Sequence, residues 1–447
     1  MAALVILKNF RLVDGSMDSP GSIIIEDGFI REVIPDGLPE PAIMKKARLV
    51  LDGEAFKGQA ILMPSFVDLH AHFRDPGFPL KETLESASLA AAAGGFGTVI
   101  CMANTNPVTD SLEKAKAIKQ RADALGLIDL YPVMSLTKGM EGKELSDIAA
   151  LAGPAVGESV SGANDVSDFY FPLMLSEDGK DIADDDLFLK AMAEARRLGV
   201  PVSCHCDFGG SEAEEAKRAG EPRKVWSRIE ENNAVRRAIE LGKKAGCHIH
   251  IAHVSTKEAA AYIRQAKKES FGSFTLTCEA APHSICLGEE TAQEMGDESF
   301  GRVNPPLRTQ ADREALKEAI RDGIIDAIAT DHAPHTFEDK AKGAPGFTGL
   351  ETAFAASFTE LVPGFIDLKR LSALMSAIPS RLVGLKDRGQ LKQGQRGDLV
   401  IVETDNPWQV EPDRFKSRGK NSPFTGKKLH GKILVTLRGG RIVFEAK

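Results

Sequence analysis

The sequence predicts an α/β protein: a (β/α)8 TIM-type barrel with a small β-sandwich domain formed by both chain ends. Three observations lead there. Both ends are rich in β-branched residues and lack helical periodicity. The middle alternates strand-length apolar runs with helical patterns, and residues suited to catalysis recur where those runs end. Residues 1–60 and 386–447 are expected to form the small domain, and residues 61–385 the barrel.

The ends come first. "LVILKNFRLVDG" and "GSIIIEDGFIREVI" read as strands, with "EDG" as a hairpin turn inside the second. "GDLVIVETD" and "GKILVTLRGGRIVFEAK" share that texture, so the termini pair into one unit. From Ile61 the pattern changes. The expected strands are "SFVDLH", "TVICMAN", "IDLYPVMS", "FYFPLMLS", "PVSCHCD", "HIHIAHV", "SFTLTCE" and "IDAIATD". Helical patterns separate them: "SLEKAKAIKQRADALG", with Asp110 placed to cap and Glu113 three residues on, then "DLFLKAMAEARRLG", "NAVRRAIELGKKAG", "TKEAAAYIRQAKKE" and "REALKEAIRDG". Eight strands in such alternation favour a closed parallel barrel over an open sheet.

Composition narrows the function. The chain has 447 residues, 43% hydrophobic and 27% charged, with a net charge of -8 and no basic block, which argues against a nucleic-acid partner. The longest apolar stretch, "SLAAAAGGFGTVICMA", holds two adjacent glycines and is too short for a membrane span. "MAALVILKNFRLVDG" lacks the features of a signal peptide. The cysteines at 101, 204, 206, 247, 278 and 286 are scattered, as buried reduced thiols are in a cytoplasmic protein. Cys204 and Cys206 flank a histidine but read as core rather than as ligands.

The chemistry gathers at strand ends. In "VDLHAHFRDPG", alternation along a strand points His70, His72 and Arg74 the same way. Strand two ends at Asn104, strand four runs into Glu177 and Asp178, strand five ends at His205, strand six at His253, and strand eight at Asp331 with His335 beyond. Singly, each has an ordinary reading: a hydrogen-bonded imidazole, an aspartate opening a turn before Gly179, a salt bridge from Arg74 to Asp75 or Glu82. Together, four imidazoles and two carboxylates at the mouth of one barrel indicate a metal site. Nitrogen and oxygen donors without thiolate suit Zn2+ and related ions, one or two per subunit. Such an ion lowers the pKa of bound water to about 7. Asp331 is placed to take that proton and pass it to a leaving nitrogen. Arg74 stays protonated and suits a substrate carboxylate, with Asn104 and His335 adding hydrogen bonds. The substrate is then a small anion with a hydrolysable amide-like bond. His248, His250, His283 and His430 read as structural, and His332 faces away from the pocket or supports it. The charged, glycine-rich stretch "HTFEDKAKGAPGF" reads as a mobile loop near the mouth.

The series "DLHAHFRDPG", "MANTNP", "SEDG", "SCHCD", "IAHVST", "RVNPPLR", "ATDHAPH" and "GLET" resembles the amidohydrolase superfamily and, within it, the bacterial type I dihydroorotases. The resemblance implies zinc-dependent interconversion of N-carbamoyl-L-aspartate and dihydroorotate in pyrimidine biosynthesis. It implies His70 and His72 on one metal, His205 and His253 on a second, Asp178 bridging, and Asp331 touching metal as general acid/base. It assigns Arg74, Asn104 and His335 to the substrate carboxylate, and Asn304 and the backbone at Pro345 and Gly346 to the ring. Many relatives bridge their metals with a carboxylated lysine on strand four. Here "YFPLMLSEDG" has none before Lys180, and Glu177 stands where the type I pattern more often has a second aspartate, so Glu177 competes with Asp178. The alternatives are another cyclic amidase, a hydantoinase or allantoinase, and a non-catalytic scaffold subunit. A homodimer and assembly with aspartate transcarbamoylase are both open under the resemblance.

Overall fold

The structure, a computed structural model, describes residues 4–56, 60–149, 151, 172–269, 272, 274–362 and 364–446. Its centre is a ring of parallel strands: β1 (Phe66–Ala71), β2 (Phe96–Cys101), β3 (Asp129–Pro132), β4 (Leu175–Ser176), β5 (Val202–Cys204), β6 (His248–Ile251), β7 (Thr275–Ala280) and β8 (Ala327–Ile328). Strands β1 to β3 form one hydrogen-bonded sheet and β4 to β8 another. Parallel bridges Met134–Leu175 and Ala71–His332 join the two sheets at both seams, closing the barrel. Several strands are shorter than expected: β5 stops at Cys204 and β8 at Ile328. Phe169–Phe171 of the expected fourth strand lie outside the described residues. The largest correction is at β1. It ends at Ala71, and Arg74 has φ +59°, so His70, His72 and Arg74 do not lie on one continuous strand.

The helices follow the expected alternation. Leu112–Leu125 is capped by Ser111, whose side chain accepts the Lys114 N–H; Asp110 binds the Lys114 ammonium and the Gly139 N–H instead. The helix expected from Asn233 begins earlier, at Arg223, and runs to Ala245. The barrel also packs on the helix Ala353–Leu361, where Phe66 stacks on Phe354 at 4.9 Å and meets the edge of Phe96 at 5.6 Å. Each such fully buried ring contributes roughly 1.5–3 kcal/mol.

Both chain ends meet in one eight-stranded sheet, ordered Arg441–Glu445, Lys432–Arg438, Leu399–Glu403, Ala60–Pro64, Leu4–Val13, Asp18–Glu26 and Phe29–Pro35, with Leu49–Asp52 pairing with Leu4–Val13. The sheet thus runs past residue 60 to Pro64. Asp27 and Gly28 turn the hairpin at φ +50° and +88°, as a two-residue loop between twisted strands requires. Asp129, at the start of β3, ties the C-terminal segment to the barrel through Arg388, Arg396 and Arg438. That end of the barrel lies opposite the strand termini that carry the chemistry. No helix among the described residues is long and apolar enough to cross a membrane.

Candidate metal centre and substrate pocket

The C-terminal ends of the strands converge on a cavity of about 180 Å3. Every candidate named from the sequence lines it except His70, which lies fully buried beside it, and Glu177, the rival to Asp178. Asp178 is the centre of the cluster. Its Oδ1 lies 3.2 Å from His70 Nε2, 3.1 Å from His205 Nδ1 and 3.7 Å from His253 Nε2, while Oδ2 lies 3.4 Å from His72 Nε2. Asp331 Oδ1 stands 3.3 Å from His72 Nε2 and 3.7 Å from His70 Nε2. His205 Nδ1 and His253 Nε2 approach to 2.8 Å. Glu177 is excluded from the cluster: its carboxylate accepts the Leu136 and Thr137 N–H groups at 3.0 Å and the Thr137 hydroxyl.

These donors fit a divalent ion. His70 Nε2 is buried and makes no hydrogen bond, although carboxylate oxygens surround it. Two triplets, His70–His72–Asp331 and His70–Asp178–His253, each bring three donor atoms within 4.8 Å of one another. The opposite ring nitrogens are already held, which fixes the tautomer that aims a lone pair inward. His72 Nδ1 donates to Asn104 Oδ1 at 2.9 Å, and His70 Nδ1 donates to Glu279 Oε1 at 2.9 Å. Burial opposes ionisation of Asp178 and Asp331, yet the surrounding imidazoles hold both carboxyls below their usual range.

Arg74, His253 and Asp331 all have positive φ, +59°, +34° and +46°. Side-chain-bearing residues rarely adopt this conformation, which costs of order 1–3 kcal/mol each and concentrates at working sites. Here the sharp turns bring the side chains back over the mouth just after the strands end.

Arg74 has no carboxylate partner among the described residues. Asp75 pairs with Arg121 and Glu82 with His332, so neither expected salt bridge forms. Its Nη2 lies 3.3 Å from His335 Nε2, and burial draws its pKa down to about 10. His335 is pushed down to about 3 by burial and by the charges of Arg74 and Lys81, so the ring is neutral. Asn304 Oδ1 accepts from Arg223 Nη2 at 3.0 Å, which turns its amide nitrogen toward His205. His332 does face away, its Nδ1 accepting the Gly349 N–H at 3.2 Å.

Sequence reasoning missed Glu279. It is the penultimate residue of β7 and bridges His70 and His250, with Oε2 accepting from His250 Nε2 at 3.1 Å. Burial resists its charge, but hydrogen bonds from the two imidazoles bring its pKa to about 2. The signal was available: a lone carboxylate closing the apolar run "TLTC", placed like the other strand-end residues. Glu279→Gln keeps the shape but weakens the hold on His70 Nδ1–H, and should lower metal affinity about 10- to 100-fold. A competition titration against a chromophoric chelator reads this directly, and unchanged affinity would remove Glu279 from the centre.

Comparison with known proteins places this geometry in context. The model of the Amidohydrolase family matches residues 61–443. The chain is 37% identical over 442 residues to the dihydroorotase of Clostridium botulinum (strain Eklund 17B / Type B), covering 99% of each. It is 33% identical over 455 residues to that of Aquifex aeolicus (strain VF5), again covering 99% of each. Among solved structures, the L-hydantoinase (dihydropyrimidinase) of Arthrobacter aurescens superposes with a TM-score of 0.82 at 26% identity, over 100% of this chain and 96% of that one.

Proposed function

The chain belongs to the amidohydrolase family and, within it, to the dihydroorotases, and on that premise we propose that its barrel mouth opens and closes the dihydroorotate ring at a zinc centre. The reaction is the reversible interconversion with N-carbamoyl-L-aspartate that serves de novo pyrimidine biosynthesis. One observation carries the reading to these residues: Asp331, Asp178 and the imidazoles share a cavity with a guanidinium that lacks any carboxylate partner among the described residues.

His70 and His72 would hold one ion and His205 and His253 a second, with Asp178 between them and Asp331 against the first. Bound there, a divalent ion supplies a Lewis acid and a water acidic enough to react near neutral pH. Asp331 takes the proton from the attacking water and delivers it to the ring nitrogen as the C–N bond breaks. The products are a carboxylate, a carbamoyl NH2 and one proton released to solvent, and cyclisation takes up that proton and reverses each transfer. Arg74 holds the carboxylate that does not react. Asn104, with Oδ1 engaged by His72, keeps its Nδ2 donors for the same group. His335 lies beside Arg74 as a neutral ring. Asn304 and the backbone at Pro345–Gly346 face the pyrimidine edge.

The hydantoinase reading shares the fold and is the rival to test. It calls for a bridging lysine, and Lys180 instead donates to the Met140 carbonyl at 2.7 Å. Turnover of dihydroorotate, hydantoin and allantoin by purified protein, with zinc analysis alongside, decides between them; preference for hydantoin would overturn the proposal. Replacing Arg74 with Met should raise KM for carbamoyl aspartate roughly 10- to 150-fold, the equivalent of about 1.5–3 kcal/mol for hydrogen bonds to a charged group. Zinc content should hold. Zinc and activity falling in step would make Arg74 part of the metal site instead. Six unpaired cysteines fit a reducing cytoplasm.

A further inference from the structure

The stretch after β8, expected from its composition to be a mobile loop, contains the helix Phe337–Ala341 and is anchored from inside. The anchor is Lys340, which is fully buried. Its Nζ donates to the carbonyls of Arg302 at 2.8 Å, Ala344 at 2.7 Å and Gly346 at 2.9 Å. Three N–H bonds meet three carbonyls, so the ammonium is saturated by main chain alone. No carboxylate lies within 4 Å of it among the described residues, and the centroid of the Phe347 ring is 5.4 Å away.

An uncompensated buried ammonium is a costly way to fill a core position. Burial, and then the charge of Arg302, bring its pKa down to about 7. What it gathers explains its place. Arg302 opens the segment that carries Asn304, two residues on. Ala344 and Gly346 bracket Pro345, whose carbonyl accepts from His335 Nε2 at 3.0 Å. The Gly346 N–H donates to the Arg302 carbonyl at 3.0 Å, so one point joins both segments. Pro345, Gly346 and Asn304 line the cavity, whereas Lys340 does not.

We propose that Lys340 is a positioning residue for the substrate ring: its ammonium draws the Arg302, Ala344 and Gly346 carbonyls to one point and so sets the backbone that faces the pyrimidine. This rests on the dihydroorotase reading. Lys340 touches neither the metal ligands nor the reacting bond, so its loss acts on how the ring is held and not on the chemical step.

The test is Lys340→Met in the full-length, zinc-loaded protein, assayed with dihydroorotate and with the five-membered analogue hydantoin-5-acetate as competitor. Displaced backbone of this kind costs roughly 10- to 100-fold. That factor should appear in KM with kcat little changed and zinc content intact. The ratio of the hydantoin-5-acetate Ki to the dihydroorotate KM should fall, because a loosened wall distinguishes ring size poorly. Gly346→Ala provides a second approach with Lys340 in place. Gly346 has φ +134°, and a Cβ there would sit 2.6 Å from Ala333 Cβ and 2.8 Å from its carbonyl oxygen, pushing the same backbone. It should show the same split between KM and kcat. A folded, zinc-loaded Lys340→Met protein with the original KM and ring-size ratio would overturn the proposal. Should that variant not fold, an unchanged KM in Gly346→Ala would overturn it. A wild-type protein that fails to turn over dihydroorotate would overturn the functional reading and this inference together, a result distinct from failure of the variants.

Discussion

Asp331→Asn is expected to lower kcat for dihydroorotate hydrolysis by about 100- to 10,000-fold, the usual worth of a positioned acid–base group. The substitution keeps the side-chain volume in a wall where Asp331 is buried, so packing is undisturbed. It removes the one cavity carboxylate not enclosed by four imidazoles. Asp178 is engaged with His70, His72, His205 and His253, while among the described residues Asp331 lies within 4 Å of two imidazoles, His72 at 3.3 Å and His70 at 3.7 Å. Asp331 is therefore the carboxylate with an oxygen free to work. The neighbouring imidazoles hold it below the usual range against the pull of burial, so it is a base across the neutral range. Two measurements separate its roles. Zinc should stay bound through the remaining five side chains while kcat falls. If zinc and kcat fall in proportion, Asp331 is a ligand only and another group moves the proton.

The side chains of the candidate metal centre were legible because one rule covers them. Each sits where an apolar parallel strand stops, and closure of the barrel turns separate strand ends into neighbours. His70, Asp178, His205, His253 and Asp331 come from five strands, and the structure brings their donor atoms within a few ångströms. Glu279 obeyed the same rule and was passed over, since one carboxylate after "TLTC" has no partner visible in sequence. Where alternation was extended too far, at Arg74, the failure has a local cause: the strand ends at Ala71 and the chain then enters a positive-φ conformation that side-chain pattern does not encode. Asn104 was legible as polar but not as the group that orients His72, because that contact joins residues 32 positions apart, one after β1 and the other after β2. Lys340 had no signal at all. Within "FEDKAKG" it is one charge among several, and only the fold decides which lysine turns inward.

The choice between the two carboxylates of "SEDG" yields the second large effect. Asp178→Ala removes the anion around which four imidazoles are arranged, and the metal centre should not survive it. The loss in metal affinity should exceed the roughly 10- to 100-fold that a partner outside the ligand set costs, and activity should go with it. Glu177→Ala has a different consequence. Its carboxylate accepts the Leu136 and Thr137 N–H groups at 3.0 Å, so the variant strands two buried donors after β3, at about 1–3 kcal/mol each. A lowered melting temperature with zinc retained is the expected outcome. Metal analysis and thermal melts of both variants, prepared without added zinc, provide the contrast. Equal zinc loss in both would mean that Glu177 supports the centre through the β3–β4 connection, and that the two carboxylates do not divide into a ligand and a loop anchor. The physical ground for expecting inequality is the direction of the two side chains. Adjacent residues leaving a strand point to opposite sides, so only one can face the barrel axis, and Asp178 is the one within 4 Å of His70, His72, His205 and His253.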